Sequence, residues 1–315
     1  MKPIYLGLAV LALLTAGCDV FNPRTTTHFQ TSSNAVDVFA RNDTLLVAAG
    51  DSTLFAYDIS SPKAPRELWR ANLERDCRCV IFVGAAAYVG TDSGIIIYHI
   101  PSGDRTLQVG GGGTSQVVAG LVADSSRLYV ATVDGVTVFD LTSPDPVKFI
   151  AMAGEPTGLS RRDSRLFVSL RDWGVRVFNI LPDDSFALDT LQLGRHNRAE
   201  GVTVSTGGYC IISQGDSGVS TYYTPSADSF GLSGGGGSNT SSFAAAATDG
   251  VQEMSFYTAA SSTVTVNKVI NKPGEASFSA EVGPDLPGFT RRICRGGNGY
   301  VYTASGDAGV YIIRE

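Results

Sequence analysis

Charged side chains gather in short polar segments that precede several apolar runs of the sequence. An arginine guanidinium can bind a carboxylate or phosphate through two parallel hydrogen bonds, and His196 with the nearby Glu200 could act as an acid–base pair. Solvated loops with scattered charges are the alternative interpretation. The segments are residues 75–79, 154–156, 195–200 and 291–292. The candidate binding residues in them are Arg78, Glu155, Arg195, His196, Arg198, Glu200, Arg291 and Arg292.

The sequence lacks the reactive constellations that hydrolases need. It has 3 His residues, which are too few for the histidine cluster of a metal-dependent propeller enzyme. Its one G-x-S-x-G match, residues 231–235, leads into a glycine run and lacks the strand-to-helix turn that exposes a nucleophilic serine. The glycine runs at 110–113 and 234–237 lack the Lys-Ser/Thr that follows in a phosphate-binding loop. The sequence therefore predicts no catalytic residue and no cofactor.

Aspartates recur in tight turns at regular intervals, and a ring of carboxylates could in principle bind a cation. One carboxylate per interval is too few for a calcium shell, whereas a turn aspartate commonly caps its own backbone. Cys77 and Cys79 lack the second ligand pair of a zinc site. We therefore predict no metal site, and we interpret His99, which ends an apolar strand, as a turn residue. The turn aspartates are Asp51, Asp92, Asp134, Asp172, Asp216, Asp249 and Asp307.

These residues are positioned by a repeat that consists of an apolar strand, an Asp turn and a second apolar strand. The strands are apolar at nearly every position, as at 95–97, which is expected when a sheet buries both faces. The repeat recurs about every 40–45 residues, the length of one propeller blade. The sequence therefore predicts an all-β, seven-bladed β-propeller of four-stranded antiparallel blades. Its turns are centred on Thr53, Gly94, Gly135, Gly174, Gly218, Gly250 and Gly309.

The propeller geometry predicts where the candidate binding residues lie. The segments that lead into each blade and the Asp turns should meet on one face, around the central channel. The last repeat ends without an outer strand, and an extended piece at residues 25–30 precedes the first repeat. We expect residues 25–30 to close the last blade, since a closed ring has no free sheet edge.

Two repeats carry a more specific signature. Residues 45–48, followed by Asp51 and residues 54–65, resemble the LVIVD repeat, and so do residues 128–131 with 140–146. The resemblance is weakest in the fifth and sixth repeats. It implies a bacterial exported or surface propeller, and it implies fold more than function.

The N-terminus has the pattern of an export signal. Lys2 precedes an uncharged run at 4–14, which is too short to span a bilayer as a helix. Residues 14–18, Leu-Thr-Ala-Gly-Cys, resemble the lipobox of bacterial lipoproteins, although Thr15 stands where that family prefers leucine. The resemblance implies a signal peptide at 1–17, lipidation of Cys18, a tether at 18–24 and a propeller at 25–315. The protein would then lie in the cell envelope, anchored to the outer or inner membrane and facing the periplasm or the cell exterior.

The composition narrows the choice of partners. A net charge of −6 argues against nucleic acid, which is bound by basic surfaces. A rigid repeat platform with varied loops favours a non-catalytic, membrane-anchored scaffold that binds a protein or peptide. A small-ligand binder or hydrolase that uses the same loops, and a cell-surface adhesin, remain as alternatives.

Four cysteines follow Cys18, and the sequence does not decide their state. Exported compartments permit disulfides, and four cysteines allow three complete pairings. Buried free thiols that pack as small apolar side chains are the other interpretation. The four are Cys77, Cys79, Cys210 and Cys294.

Overall fold

The structure is a computed structural model that describes residues 26–314, apart from 110–116, 184, 194–197, 227–228, 232–243, 248–252, 260–262, 273–274 and 287. The signal, lipobox and tether at 1–24 and both glycine runs lie outside the described residues. The described chain forms seven four-stranded antiparallel sheets, which we call blades. Six blades carry described side chains, and blade 6 is described through its backbone.

The blades follow one another along the chain. Blade 1 comprises β2 (Ala35–Arg41), β3 (Thr44–Ala49), β4 (Thr53–Asp58) and β5 (Arg66–Asn72). Blade 2 comprises β6 (Cys77–Val83), β7 (Ala86–Thr91), β8 (Gly94–His99) and β9 (Asp104–Val109). Blade 3 comprises β10 (Val118–Ala123), β11 (Arg127–Thr132), β12 (Gly135–Asp140) and β13 (Pro146–Ala151). Blade 4 comprises β14 (Pro156–Arg162), β15 (Arg165–Leu170), β16 (Gly174–Ile180) and β17 (Phe186–Leu193).

The remaining blades complete the ring. Blade 5 comprises β18 (Gly201–Val204), β19 (Tyr209–Ser213), β20 (Val219–Ser226) and β21 (Ser229–Gly231). Blade 6 comprises β22 (Ala244–Ala247), β23 (Glu253–Ala259), β24 (Thr263–Lys272) and β25 (Glu275–Asp285). Blade 7 comprises β26 (Arg292–Arg295), β27 (Tyr300–Ala304), β28 (Val310–Arg314) and the N-terminal strand β1 (Thr26–Phe29).

The first strand of each blade contacts the first strand of the next, and β26 contacts β2, so the blades surround a central channel. The predicted class, an all-β propeller with four-stranded antiparallel blades, is confirmed. The predicted closing strand is also confirmed, because β1 pairs antiparallel with β28 from Thr26 opposite Ile313 to Phe29 opposite Val310.

The core lies between neighbouring blades rather than inside any one of them. Leu46 and Leu54 of blade 1 pack in one cluster with Val80, Val89 and Ile96 of blade 2, and all five are buried. The middle strands therefore bury both faces, which explains why they are apolar without alternation. The outer strand β13 is mostly exposed and borders no further sheet strand.

Polar residues that end third strands stabilise the turns that follow them. Asp58 and Asp140 each end a third strand, and each accepts a hydrogen bond from a backbone N–H two residues later, at 2.9 and 2.8 Å. The His99 imidazole lies 3.1 Å from the Ser102 hydroxyl within its turn. The contact of His99 confirms that it is a turn residue, and Asp58 and Asp140 have the same role.

The sixth repeat was assigned to the wrong strands. Residues 244–247 form the first strand of blade 6, which lies beside the first strands of blades 5 and 7. Asp249 and Gly250 lie outside the described residues, in the segment between the first and second strands, and not between the second and third. The third strands begin at Thr53, Gly94, Gly135, Gly174, Val219, Thr263 and Val310, so the spacing stays close to one blade throughout.

All four cysteines are free thiols in the structure. Cys77, Cys79 and Cys210 are buried, and Cys294 is partly exposed. Burial raises the pKa of each thiol, and the interpretation as buried thiols describes Cys77, Cys79 and Cys210. No helix within the described residues is long and apolar enough to cross a membrane.

Candidate functional site

One face of the propeller collects two sets of loops, and we call it the upper face. The segments that lead into the blades contribute Asn34, Asp76 and Glu155, while the turns between second and third strands contribute Asp51 and Arg171. All five line a cavity of about 750 Å³ at the mouth of the channel. The prediction that the two sets of loops meet on one face is therefore confirmed.

A β-bulge at the start of four inner strands turns one extra residue toward this cavity. The strand register skips one residue in each of β2, β6, β10 and β14, and a bulge of this kind re-aims a side chain. Two residues immediately before β18 and β26 hold the corresponding place in blades 5 and 7. We call the six the rim residues, and all of them line the cavity: Val36, Arg78, Ala119, Thr157, Glu200 and Arg291.

The next residue along each of these strands lines a deeper cavity of about 360 Å³ inside the channel. Three of these channel residues are glycines, which permit close approach of neighbouring inner strands: a Cβ on Gly120 would lie 3.2 Å from the Gly158 Cα. The other three carry reactive or charged groups. The six channel residues are Asp37, Cys79, Gly120, Gly158, Gly201 and Arg292.

Asp37 is a carboxylate enclosed in the channel. Its two oxygens accept hydrogen bonds from the backbone N–H groups of Val38 and Val80, each at 2.9 Å, so it joins blade 1 to blade 2. Burial raises its pKa from 3.8 to about 6, although the positive charge of Arg292 and both hydrogen bonds act in the opposite direction. The Asp37 carboxyl therefore holds its proton to a higher pH than an ordinary carboxyl does.

An ion-pair network occupies the blade 4 and blade 5 side of the upper cavity. Arg171 donates two hydrogen bonds to Glu155, at 2.8 and 2.9 Å, and lies 4.0 Å from Glu200. Glu200 also accepts a hydrogen bond from Arg198. The sequence did not predict Arg171, because the recurring turn pattern is matched by the neighbouring Asp172.

We expect Arg171→Met to raise the pKa of Glu155 back toward its ordinary value, because the hydrogen bond from Arg171 is the main cause of its lowering. The free energy of unfolding should fall by less than about 1 kcal/mol, since both side chains are about 40% exposed and exposed ion pairs contribute little. Carboxyl NMR titration and urea unfolding would measure the two effects. Arg66→Met, on the opposite face, should leave the Glu155 titration unchanged, and equal shifts in both variants would contradict this assignment.

Three further arginines border the upper cavity and, unlike Arg171 and Arg198, form no ion pair with a carboxylate of the described residues. Among the described residues, no carboxylate lies within 4.0 Å of Arg78, Arg291 or Arg292. The Arg291 guanidinium lies 6.0 Å from the centre of the Phe289 ring. Arg292 borders both cavities, and its Nη2 donates a 3.4 Å hydrogen bond to the Thr157 carbonyl oxygen.

The structure brings together most of the predicted binding residues. Arg78, Glu155, Glu200, Arg291 and Arg292 line the upper cavity, and Arg198 joins them through its ion pair with Glu200. The other two predicted residues, Arg195 and His196, lie outside the described residues. Within the described chain, no group of three His, Cys, Asp or Glu side chains is placed to hold a metal ion.

Comparison with known proteins identifies the fold. No protein-family model and no curated protein matches the sequence. The chain is similar to the structure of the RRP9 WD40 repeats, with 14% identity, 93% of this chain and 98% of that chain covered, and a TM-score of 0.74. The chain is also similar to the U3-55K structure, with 14% identity, 93% of this chain and 100% of that chain covered, and a TM-score of 0.74. The comparison with the Cps50 (Swd1) propeller domain of Myceliophteria thermophila gives 11% identity, with 93% of this chain and 100% of that chain covered, and a TM-score of 0.71. The chain therefore shares the β-propeller fold of these structures.

Proposed function

We propose that this protein is an exported, lipid-anchored propeller that binds a protein or peptide at the upper cavity without catalysing a reaction. The observation that carries the proposal is the contrast between the rim residues and the repeat around them. The turns and apolar strands recur from blade to blade, whereas the rim residues are valine, arginine, alanine, threonine, glutamate and arginine. The repeated fold does not require the rim residues to differ from blade to blade, but the binding of a ligand of irregular shape and charge does.

The ion pairs on the upper face argue against the alternative hydrolase. A general base needs a carboxylate or imidazole that is free to accept a proton from the substrate. Glu200 is instead engaged by Arg198 and lies 4.0 Å from Arg171. Its side chain is 14% exposed, so it supports the shape of the upper face.

The position of β1 determines which face of the propeller the proposed lipid anchor would hold toward the membrane. Thr26 pairs with Ile313, at the end of β28 that is distant from the upper-face turn, so the chain joins the propeller at its lower face. The preceding residues 18–25 can span less than about 30 Å when extended. A lipid on Cys18 would hold the lower face toward the membrane and present the upper cavity to the surrounding compartment.

Site-specific crosslinking in the cells that make the protein tests this function. A photoreactive phenylalanine in place of Val133, which borders the upper cavity and is 38% exposed, should give an adduct of one defined mass. The same group in place of Leu188, which is 54% exposed on the outer strand β17, should give none. No adduct at position 133, or equal labelling at both positions, would reject the proposal.

A further inference from the structure

The charges around the upper cavity are not paired evenly. On the blade 4 and blade 5 side, two arginines and two glutamates form the network of Glu155, Arg171, Glu200 and Arg198. On the opposite side, Arg78 of blade 2 and Arg291 and Arg292 of blade 7 flank blade 1. We call these three residues the arginine arc.

The arginine arc has donors available for a ligand. Arg78 and Arg291 are exposed, and neither makes a hydrogen bond with a carboxylate among the described residues. Asp51 and Asp76 border the same part of the cavity, but neither forms an ion pair with the arc at 4.0 Å or less. Each free guanidinium can therefore turn its planar set of N–H groups toward a bound group.

Arg292 completes the arc from below. It lines the upper and the deeper cavity, and its hydrogen bond to the Thr157 carbonyl crosses the channel from blade 7 to blade 4. An anion that descends from the upper face would meet this guanidinium at the floor of the upper cavity. Asp37, whose carboxylate is affected by the positive charge of Arg292, lines the deeper cavity and not the upper one.

We propose that the arginine arc binds a carboxylate of the partner, so that an acidic peptide segment enters the upper cavity with its negative group toward Arg78, Arg291 and Arg292. This inference rests on the proposed function and specifies its ligand. A carboxylate matches the forked geometry of arginine and can be held by two parallel hydrogen bonds. Because the arginines of the network on the other side are already in ion pairs, the arginine arc is the part of the upper cavity whose guanidinium groups can pair with a carboxylate of the partner.

Fluorescence anisotropy with labelled hexapeptides tests the inference on the full chain in detergent. One peptide alternates alanine and glutamate and has an amidated C-terminus, and a second has glutamine in place of each glutamate. A third is the glutamine peptide with a free C-terminus, which separates side-chain from terminal carboxylates. We expect at least one carboxylate-bearing peptide to bind about tenfold or more tightly than the amidated glutamine peptide, with an affinity that falls as salt is added.

The double variant R78Q/R291Q should bind the carboxylate peptides no better than the amidated glutamine peptide. Arg66→Gln is the matched control, because Arg66 is an exposed arginine in an ion pair on the opposite face. Equal binding of all three peptides by the unmodified protein, or an equal loss in R66Q, would overturn the inference. Circular dichroism melting would show that both exposed substitutions leave the fold intact.

Crosslinking from position 133 distinguishes a failure of this inference from a failure of the proposed binding function. An adduct that disappears in R78Q/R291Q and persists in R66Q supports both. An adduct that persists in R78Q/R291Q rejects the role of the arginine arc and leaves the binding function standing. If position 133 gives no adduct in any variant, the proposed function itself fails.

Discussion

Gly309→Ala is expected to lower the melting temperature of the protein by roughly 10 °C, because it disturbs the junction that closes the ring. Gly309 has φ +82, where an L side chain is strained, and a Cβ there would lie 2.6 Å from the Phe29 carbonyl oxygen and 2.9 Å from the Gln30 Cα. Phe29 also packs on Tyr57 of blade 1, with ring centres 4.6 Å apart. The alanine must therefore displace β1 from both of its neighbours. We expect a loss of about 3 kcal/mol or more in the free energy of unfolding.

Gly299→Ala is the matched control for this substitution. Gly299 has φ +79, nearly the same backbone conformation, but nothing lies within 4 Å of its added Cβ. In Gly299→Ala the free energy of unfolding should fall only by the cost of the backbone strain, about 1–2 kcal/mol. Its melting temperature should therefore fall less than that of G309A. Equal losses in the two variants would show that β1 contributes little to closure. A deletion of residues 26–29 should destabilise the protein further than G309A.

The sequence predicted the middle strands of the blades better than the outer ones. Strands such as β7 and β8 bury both faces, so an unbroken apolar run followed by an Asp turn marks them clearly. The outer strand β13 is exposed along most of its length and has no periodic pattern. Its position follows only from the blade geometry, which a local reading of the residues does not supply.

The error in the sixth repeat has the same origin. Residues 244–247 are four alanines followed by Thr-Asp-Gly, and this pattern matches a second strand and its turn as well as a first strand. The structure assigns residues 244–247 to the inner edge of blade 6, because β22 pairs with β23 and lies beside β18 and β26. Such contacts join residues that are far apart in sequence.

The candidate site was predicted as a face but not as a set of contacts. Propeller topology places the loops together, so the cavity follows from the repeat alone. The partner of Glu155 is Arg171, from the next turn of the same blade, and nothing in the spacing selects it over other arginines. Asp37 had a usable signal that the sequence analysis did not use, because it is a charged residue between two valines in the largely apolar strand β2.

Ionisation of Asp37 should make the protein less stable as the pH rises from 4.5 to 7.5. Because its pKa in the folded protein is about 6, against 3.8 for the ordinary carboxyl, the folded state holds a proton in this range that the unfolded state has released. Its contribution to the free energy of unfolding is therefore greatest near pH 4 and is lost as the pH rises through about 6. The loss between pH 4.5 and 7.5 should be about 2 kcal/mol.

Urea unfolding at several pH values, compared between the unmodified protein and Asp37→Asn, measures this contribution. Asparagine keeps an oxygen that can accept the Val80 N–H but does not ionise, so the difference between the two proteins should change by about 2 kcal/mol across the range. Carboxyl groups with lowered pKa, such as those of Asp58 and Asp140, affect stability at lower pH and in the opposite direction. They cancel in the comparison because both proteins contain them.

Two variants decide whether the channel environment is the cause. Asp145→Asn changes an exposed loop carboxylate and should leave the pH dependence as it is. Arg292→Gln removes the positive charge that faces Asp37, so the Asp37 pKa should rise further and the pH at which stability is lost should move upward. Among the described residues, the Cys79 and Cys294 thiols also face Asp37, and burial keeps both protonated over this range. A difference curve that is flat with pH would mean that water in the channel solvates the carboxylate and that Asp37 is an ordinary acid. A curve that R292Q leaves in place would mean that the charge of Arg292 does not act on Asp37.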